Sequence, residues 1–277
     1  MKNATNFNEF YNNIESPFIR SESELWDKIS DQIETKPQVN IFQLSWIKYA
    51  AAATIFFLIA STLFMKLYTT NIVSEKGEHL SHILPDGSAI ELNADTYIAY
   101  QPYWWVFNRE ITLSGEAFFN VEKGEKFKII SENGITEIFG TSFNIYARNS
   151  EYAVFCETGK VKVSSTKSDI KFIIESGELA VIDNLKKDGR KSEANVSDYT
   201  AWKDNKFVFT SVQIQNVLDE LERQYNVKII LETNNSSELI YTGNFKKTIS
   251  VEPALSFVCK SFGLTFVKSK SRTYKIF

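Results

Sequence analysis

The chain has 277 residues, 43% hydrophobic and 23% charged, with a net charge of −3 and a pI near 5.6. That length allows about two domains with cores of their own, and the acidic balance speaks against direct nucleic-acid binding, which needs a basic face. The two cysteines, Cys156 and Cys259, and the two histidines, His79 and His82, lack the spacing of a metal site.

Residues 1–45 read as a helical tail. Phe7, Phe10, Tyr11 and Ile14 recur at helical spacing until Ser16 and Pro17 break the pattern. Ser21 and Glu24 have capping-box spacing. Leu25, Trp26, Ile29 and Ile33 then line one side, before Lys36 and Pro37 stop the helix. Asp27, Lys28, Asp31 and Glu34 take the opposite side. Fewer than about 50 residues rarely make a core alone, so the stripe needs cover from the other helix, a membrane surface or a partner. Leu25, Trp26, Ile29 and Ile33 are therefore the candidate partner-binding residues.

Residues 46–68 read as a transmembrane helix. The stretch between Lys48 and Lys66 carries no charge and is apolar all round, so no face is reserved for a soluble core. At about 1.5 Å per residue it matches a hydrocarbon thickness of roughly 30 Å. Trp46, Tyr49 and Tyr68 fall where interfacial aromatics belong. The 45 residues before it place the apolar run too late for a cleaved signal peptide, which leaves an uncleaved anchor. Lys28, Lys36 and Lys48 against Lys66 and Lys76 give a slim positive-inside bias toward a cytoplasmic N-terminus.

Residues 70–200 change to short strands, each opened by a glycine turn and followed by alternating apolar positions. Gly87 leads to Ile90 and Leu92, and Gly115 to Ala117, Phe119 and Val121. Gly140 leads to Phe143 and Ile145, Gly159 to Val161 and Val163, and Gly177 to Leu179 and Val181. Pro85, Asp86 and Gly87 supply a turn with a mechanism: fixed φ, a side chain bonding its own backbone, and positive φ. The even spacing of the units predicts a β-rich, solenoid-like domain, with a plain antiparallel sandwich as the competing arrangement. The run Lys186, Lys187, Asp188, Gly189, Arg190, Lys191 reads as a solvated hairpin tip.

Residues 201–277 switch to a small α+β domain built from a repeated βαβ unit, with helices on one face of a sheet. Strands are expected at 207–209, 227–231, 240–245, 264–267 and 273–277, and helices at 212–225 and 251–262. Gly263 supplies the stop for the second helix. No arrangement of nucleophile, base and orienting group is legible, nor a phosphate-binding loop. No enzyme activity and no cofactor are expected.

Several motifs in order carry a family resemblance. They are LPDGS at 84–88 continuing to Asn93, Arg109 followed by LSGEAFF at 113–119, and GTSFNI at 140–145. ETGKV at 157–161, SGE at 176–178 and YTGNF at 241–245 complete the set. With the single span before it, the chain resembles the FecR-type transmembrane anti-sigma regulators, in the form common in Bacteroidetes. The resemblance implies an inner-membrane protein with its N-terminus in the cytoplasm, holding an extracytoplasmic-function sigma factor. The C-terminal part would be periplasmic and meet the signalling domain of a TonB-dependent outer-membrane transporter. The final module would be similar to the secretin and TonB short N-terminal domain. Pro85, Asp86, Gly87, Asn93, Arg109, Gly115, Glu116, Gly140, Phe143, Asn144, Gly159 and Gly177 are expected to determine the fold, with Glu116 or Asn144 tying strand ends to neighbouring backbone. The tail of 45 residues is shorter than the usual helical anti-sigma domain of the family. The alternative is a membrane-anchored periplasmic interaction protein that binds no sigma factor.

Overall fold

The computed structural model describes residues 21–32, 45–233, 238–248 and 250–277. The helical pattern at Phe7, Phe10, Tyr11 and Ile14 therefore lies outside the described residues, as does Ile33. The chain divides into two units, 1–59 and 60–277. In the first, helix α1 spans Glu22–Gln32. Helix α2, Ser45–Leu67, starts there and ends in the second unit. From Trp46 to Leu67 it is long and apolar enough to cross a membrane.

Thirteen strands follow. They are β1 Thr70–Ser74, β2 Leu80–Ile83, β3 Ala89–Leu92, β4 Thr96–Tyr100 and β5 Arg109–Asn120. Then come β6 Phe127–Ile130, β7 Gly134–Ile138, β8 Ser142–Arg148 and β9 Glu151–Thr158. The last are β10 Lys160–Ser165, β11 Lys171–Glu175, β12 Glu178–Asp183 and β13 Asp188–Glu193.

Strand β5 organises all of them. Its first half, up to Ser114, pairs with β4 and β6. Its second half, from Gly115, pairs with β3 and β8. One face thus runs β1-β4-β5-β6-β7-β10-β11 and the other β2-β3-β5-β8-β9-β12-β13. Side chains from both meet in one core that includes Ile98, Ile111, Phe119, Ile129, Phe143, Val154 and Val163. Ladders are antiparallel except β5–β6, so the chain makes no stack of parallel coils. The even spacing has another cause: the hairpins β6–β7, β8–β9, β10–β11 and β12–β13 alternate between the two faces. Arrangement and recurrence together favour the sandwich over the solenoid-like expectation.

After Val196–Thr200 (α3) and a 3₁₀ turn at Ala201–Asp204, a second core forms. Its elements are β14 Lys206–Gln213, α4 Ile214–Tyr225, β15 Lys228–Leu231, β16 Ile240–Lys246, α5 Glu252–Lys260, β17 Phe266–Lys270 and β18 Thr273–Ile276. Helix α4 buries Ile214, Val217, Leu218 and Leu221 at helical spacing. The α+β content matches the sequence pattern, but the strands do not form one sheet. β14 pairs with β16 alone, and β15-β18-β17 make a separate three-stranded sheet. Val212, expected to be helical, closes β14 beyond a register shift after Phe209.

Gly115 is where β5 passes from one face to the other. Its φ is +118°, and a Cβ there would stand 2.8 Å from the Cα of Thr96 and 2.6 Å from its Oγ1. Backbone cannot yield as a flexible side chain can, so both the positive φ and the space call for glycine. Gly177 has φ +84° with nothing within 4 Å of such a Cβ. Gly115→Ala should therefore cost about 3 kcal/mol and Gly177→Ala only about 1 kcal/mol in urea unfolding of the detergent-solubilised chain. Equal costs would mean that only the positive φ matters at Gly115.

Candidate functional site

In the first unit, Ser21 accepts from the backbone N–H of Glu24 at 3.4 Å, closing one half of the expected capping box. Helix α1 leaves its apolar stripe uncovered: Leu25 is 47% exposed, Trp26 63% and Ile29 47%. A tryptophan so exposed on a short amphipathic helix is a ready anchor for a groove on another protein.

Within the second unit, Arg109 gathers two loops at one end of the β domain. Its guanidinium pairs with Asp86 through both Nε, at 2.8 Å, and Nη2. It also donates to the backbone oxygens of Glu125 at 2.7 Å and Glu122 at 3.1 Å, and lies 5.1 Å from the centre of the Phe127 ring. Asp86 caps its own turn by accepting from the N–H and hydroxyl of Ser88 at 3.0 and 2.9 Å. Burial works against its charge, but Ser88 and Arg109 outweigh this and hold the carboxyl below its usual range. The N–H of Gly87, at φ +88°, bonds to Leu84 O at 3.0 Å, closing the turn that Pro85 enters. Gly140, Gly159 and Gly177 lie at turns leading into β8, β10 and β12, and Phe143 stacks on Phe119 with centroids 5.2 Å apart.

Glu116, Asn93 and Asn144 come together on the outer side of the second face, under the C-terminal module. Burial along β5 alternates up to Ser114, then continues unbroken from Gly115 to Phe119, because that stretch is covered on both sides. The Glu116 carboxylate accepts from Asn93 Nδ2 at 2.8 Å and Asn144 Nδ2 at 2.9 Å. These partners are side chains, so the acid does not tie backbone as expected; its own main chain does so, through Asn93 N–H and Thr96. Beyond this lies α4. Gln224 Nε2 donates to Asn93 at 2.6 Å and to Glu220 at 2.9 Å, while its oxygen meets His79 at 3.1 Å and Lys247 at 3.1 Å. Glu220 holds Arg223 at 2.8 Å, and Trp202 Nε1 donates to Asn144 at 3.3 Å. The connector between β1 and β2 joins in: Gly77 N–H bonds to Arg223 O at 2.8 Å, and His79 packs edge-on against Trp202. The β domain, the C-terminal module and the strand connector after α2 therefore share one buried polar network.

Two profiles of known families match this chain: "FecR protein" over residues 70–162 and "FecR, C-terminal" over 206–276. Together they take in more than half of the sequence. The chain belongs to the FecR family. Two crystal structures of a candidate anti-sigma factor from Parabacteroides distasonis ATCC 8503 share the fold, each with a TM-score of 0.70. They are 28% and 29% identical to this chain, cover 76% and 75% of it, and are themselves covered over 99% and 98% of their length. No curated protein matches the chain. Among the described residues, no group of three His, Cys, Asp or Glu could hold a metal ion.

Sequence reasoning picked out Asn93, Glu116 and Asn144 as fold determinants but missed their counterparts His79, Trp202, Glu220, Arg223 and Gln224. The i,i+3 pair Glu220–Arg223 and the polar Gln224 on an otherwise apolar side of α4 were the available signal. The site is also electrically asymmetric. Burial, and then repulsion from Glu220, push the Glu116 carboxyl up to about 7, although Arg148 and the two asparagines favour its charge. Burial works against Glu220 as well, but Arg223 and Arg148 hold its carboxyl below the ordinary range.

A raised acid stabilises the fold fully below its unfolded pKa and loses that contribution as pH rises through about 7. His79, lowered by burial and then by Lys247, has the opposite sign and favours the fold as pH rises past its ordinary value. Comparison with Glu116→Gln isolates the acid. Between pH 5 and 8 the wild-type chain should lose up to about 3 kcal/mol that the variant does not, read from thermal melts in detergent. Parallel pH profiles for the two proteins would show Glu116 to be ionised throughout.

Proposed function

We propose that this FecR-family chain is a single-pass inner-membrane regulator of an extracytoplasmic-function sigma factor. Its tail holds the sigma factor in the cytoplasm through Leu25, Trp26, Ile29 and Ile33. The FecR and C-terminal modules lie in the periplasm and receive a signal from the signalling domain of a TonB-dependent outer-membrane transporter. The observation that carries the reading is the order along the chain: an exposed Trp26 stripe, then a membrane-length helix, then FecR-family modules. The likeness to the Parabacteroides anti-sigma structures supports it. The shared polar network supports the relay, because a partner bound to either module bears on the segment that leaves the membrane helix. In this reading the twelve residues named from the motifs, Pro85 to Gly177, build the receiving domain and make no partner contact themselves.

Trp26 gives the sharpest test. Truncating a groove-bound tryptophan costs about 2–4 kcal/mol, or roughly 30- to 1000-fold in affinity. Trp26→Ala should abolish capture of a cognate sigma factor by the full-length chain in detergent. Asp27→Ala, on the polar side of α1, should leave capture intact. Equal capture by both variants, or none by the wild type, would rule out α1 as the sigma-factor contact and leave the anchored interaction protein.

A further inference from the structure

The end of the β domain next to the membrane helix carries an apolar surface that the preceding reading does not use. Strand β1 begins at Thr70, directly after α2, and its register sets Thr70 opposite Tyr100. The chain leaving Tyr100 therefore emerges beside the exit of the helix. It forms a compact turn over residues 101–108, in which Phe107 and Asn108 N–H bond to Trp104 O at 2.9 and 3.1 Å. Trp105 points inward, 3% exposed, wedged between Tyr100 and Phe127. Its neighbours point outward: Tyr103 is 51% exposed, Val106 89% and Phe107 69%. The turn is thus pinned by one aromatic while it presents others, at positions where a soluble surface would carry polar residues.

The loops that Arg109 gathers lie at the same end. The Asp86 turn begins just after Ile83, which is 71% exposed. The 122–126 loop bonds through Gly124 N–H to Phe139 O at 3.0 Å, and Phe139 is 66% exposed. Register sets residues 103–107 and Phe139 beside the start of β5 and Ile83 beside its end, and the Arg109–Asp86 pair brings those two ends together.

Continuity with the helix indicates what covers this surface. The Tyr103 ring lies 6.0 Å from Phe64 and 5.2 Å from Tyr68, both at the last turns of α2. Apolar tips and an amphipathic Tyr ring, packed against the end of a membrane-length helix, have the make-up of an interfacial belt. We infer that Ile83, Tyr103, Val106, Phe107 and Phe139 form a membrane-resting surface, seating the β domain on the lipid headgroups of the leaflet where α2 emerges. The occupant is the bilayer itself. The inference rests on α2 being a true span, but not on which compartment lies beyond it. Seated this way, the domain cannot swing freely about the short link from Leu67 to Thr70, so a pull on the far modules reaches the helix.

The test uses the full-length chain in phosphatidylethanolamine–phosphatidylglycerol vesicles. Native Cys156 and Cys259 are buried, so single exposed cysteines can be spin-labelled selectively. Val106→Cys and Phe139→Cys should show a several-fold higher ratio of oxygen to nickel-chelate accessibility than Lys187→Cys, which sits in a charged hairpin. Ile59→Cys, within the helix, reports the span separately. Aqueous ratios at 106 and 139 with a lipid-like ratio at 59 would overturn the resting surface and leave the span standing. An aqueous ratio at 59 would remove both. Shielding at 106 that vanishes as protein is diluted in lipid would place a second copy on the surface and also overturn the inference.

Discussion

Strand β5 has to serve two sheets, and the bend at Gly115 that lets it do so fixes where the remaining strands lie. Six residues before the bend carry β4 and β6; Gly115 and the five after it carry β3 and β8. A side chain at 115 would meet the backbone of Thr96, so the crossing depends on the absence of a Cβ. The residue after the bend, Glu116, is turned away from the apolar core into a second contact layer. One strand therefore closes the β sandwich and supplies the acid that receives the C-terminal module.

That second layer is an unusual join. Apolar packing holds parts of the domain boundary, as where Tyr199 stacks on Phe155 at 5.5 Å. Its centre, however, is a chain of amides and charges running from Asn144 through Glu116 and Asn93 to Gln224, Glu220 and Arg223. Buried polar groups of this kind add little net stability when satisfied and cost several kcal/mol when one partner is taken away. They give specificity of placement rather than strength. A fully satisfied network of this kind fixes one register between the modules. Lys203, 3.5 Å from the centre of the Phe118 ring and paired with Glu91 at 3.0 Å, fixes the flank of the same join.

The network also draws in Gly77 and His79, residues placed between the membrane helix and β2. Connection from the C-terminal module to the segments around β1 therefore takes two routes. One is covalent, through β1 into α2. The other passes through side chains of α4 to the connector that follows β1. The first ends at the helix exit, where Thr70 lies opposite Tyr100; the second reaches the other end of β1, beyond the Ser74–Thr96 pair.

Local chemistry alone determined the long apolar helix α2, the Ser21 cap, the Pro85–Asp86–Gly87 turn, the period-2 strands and the buried side of α4. Each depends on residues no more than a few positions apart, where periodicity and turn preference act directly. The tertiary structure decided the rest. It split the C-terminal strands into two sheets, sent alternate hairpins to opposite faces, and turned Val106 and Phe107 outward while Trp105 went in. It also joined Asn93 to Gln224 across 131 positions. Gln224 stands out as a polar residue on the buried side of α4, but no pattern in the chain says that Asn93 is its partner. Only when the outer side of Glu116 is covered does water leave, and an ordinary surface acid and amide become the buried contact between two modules.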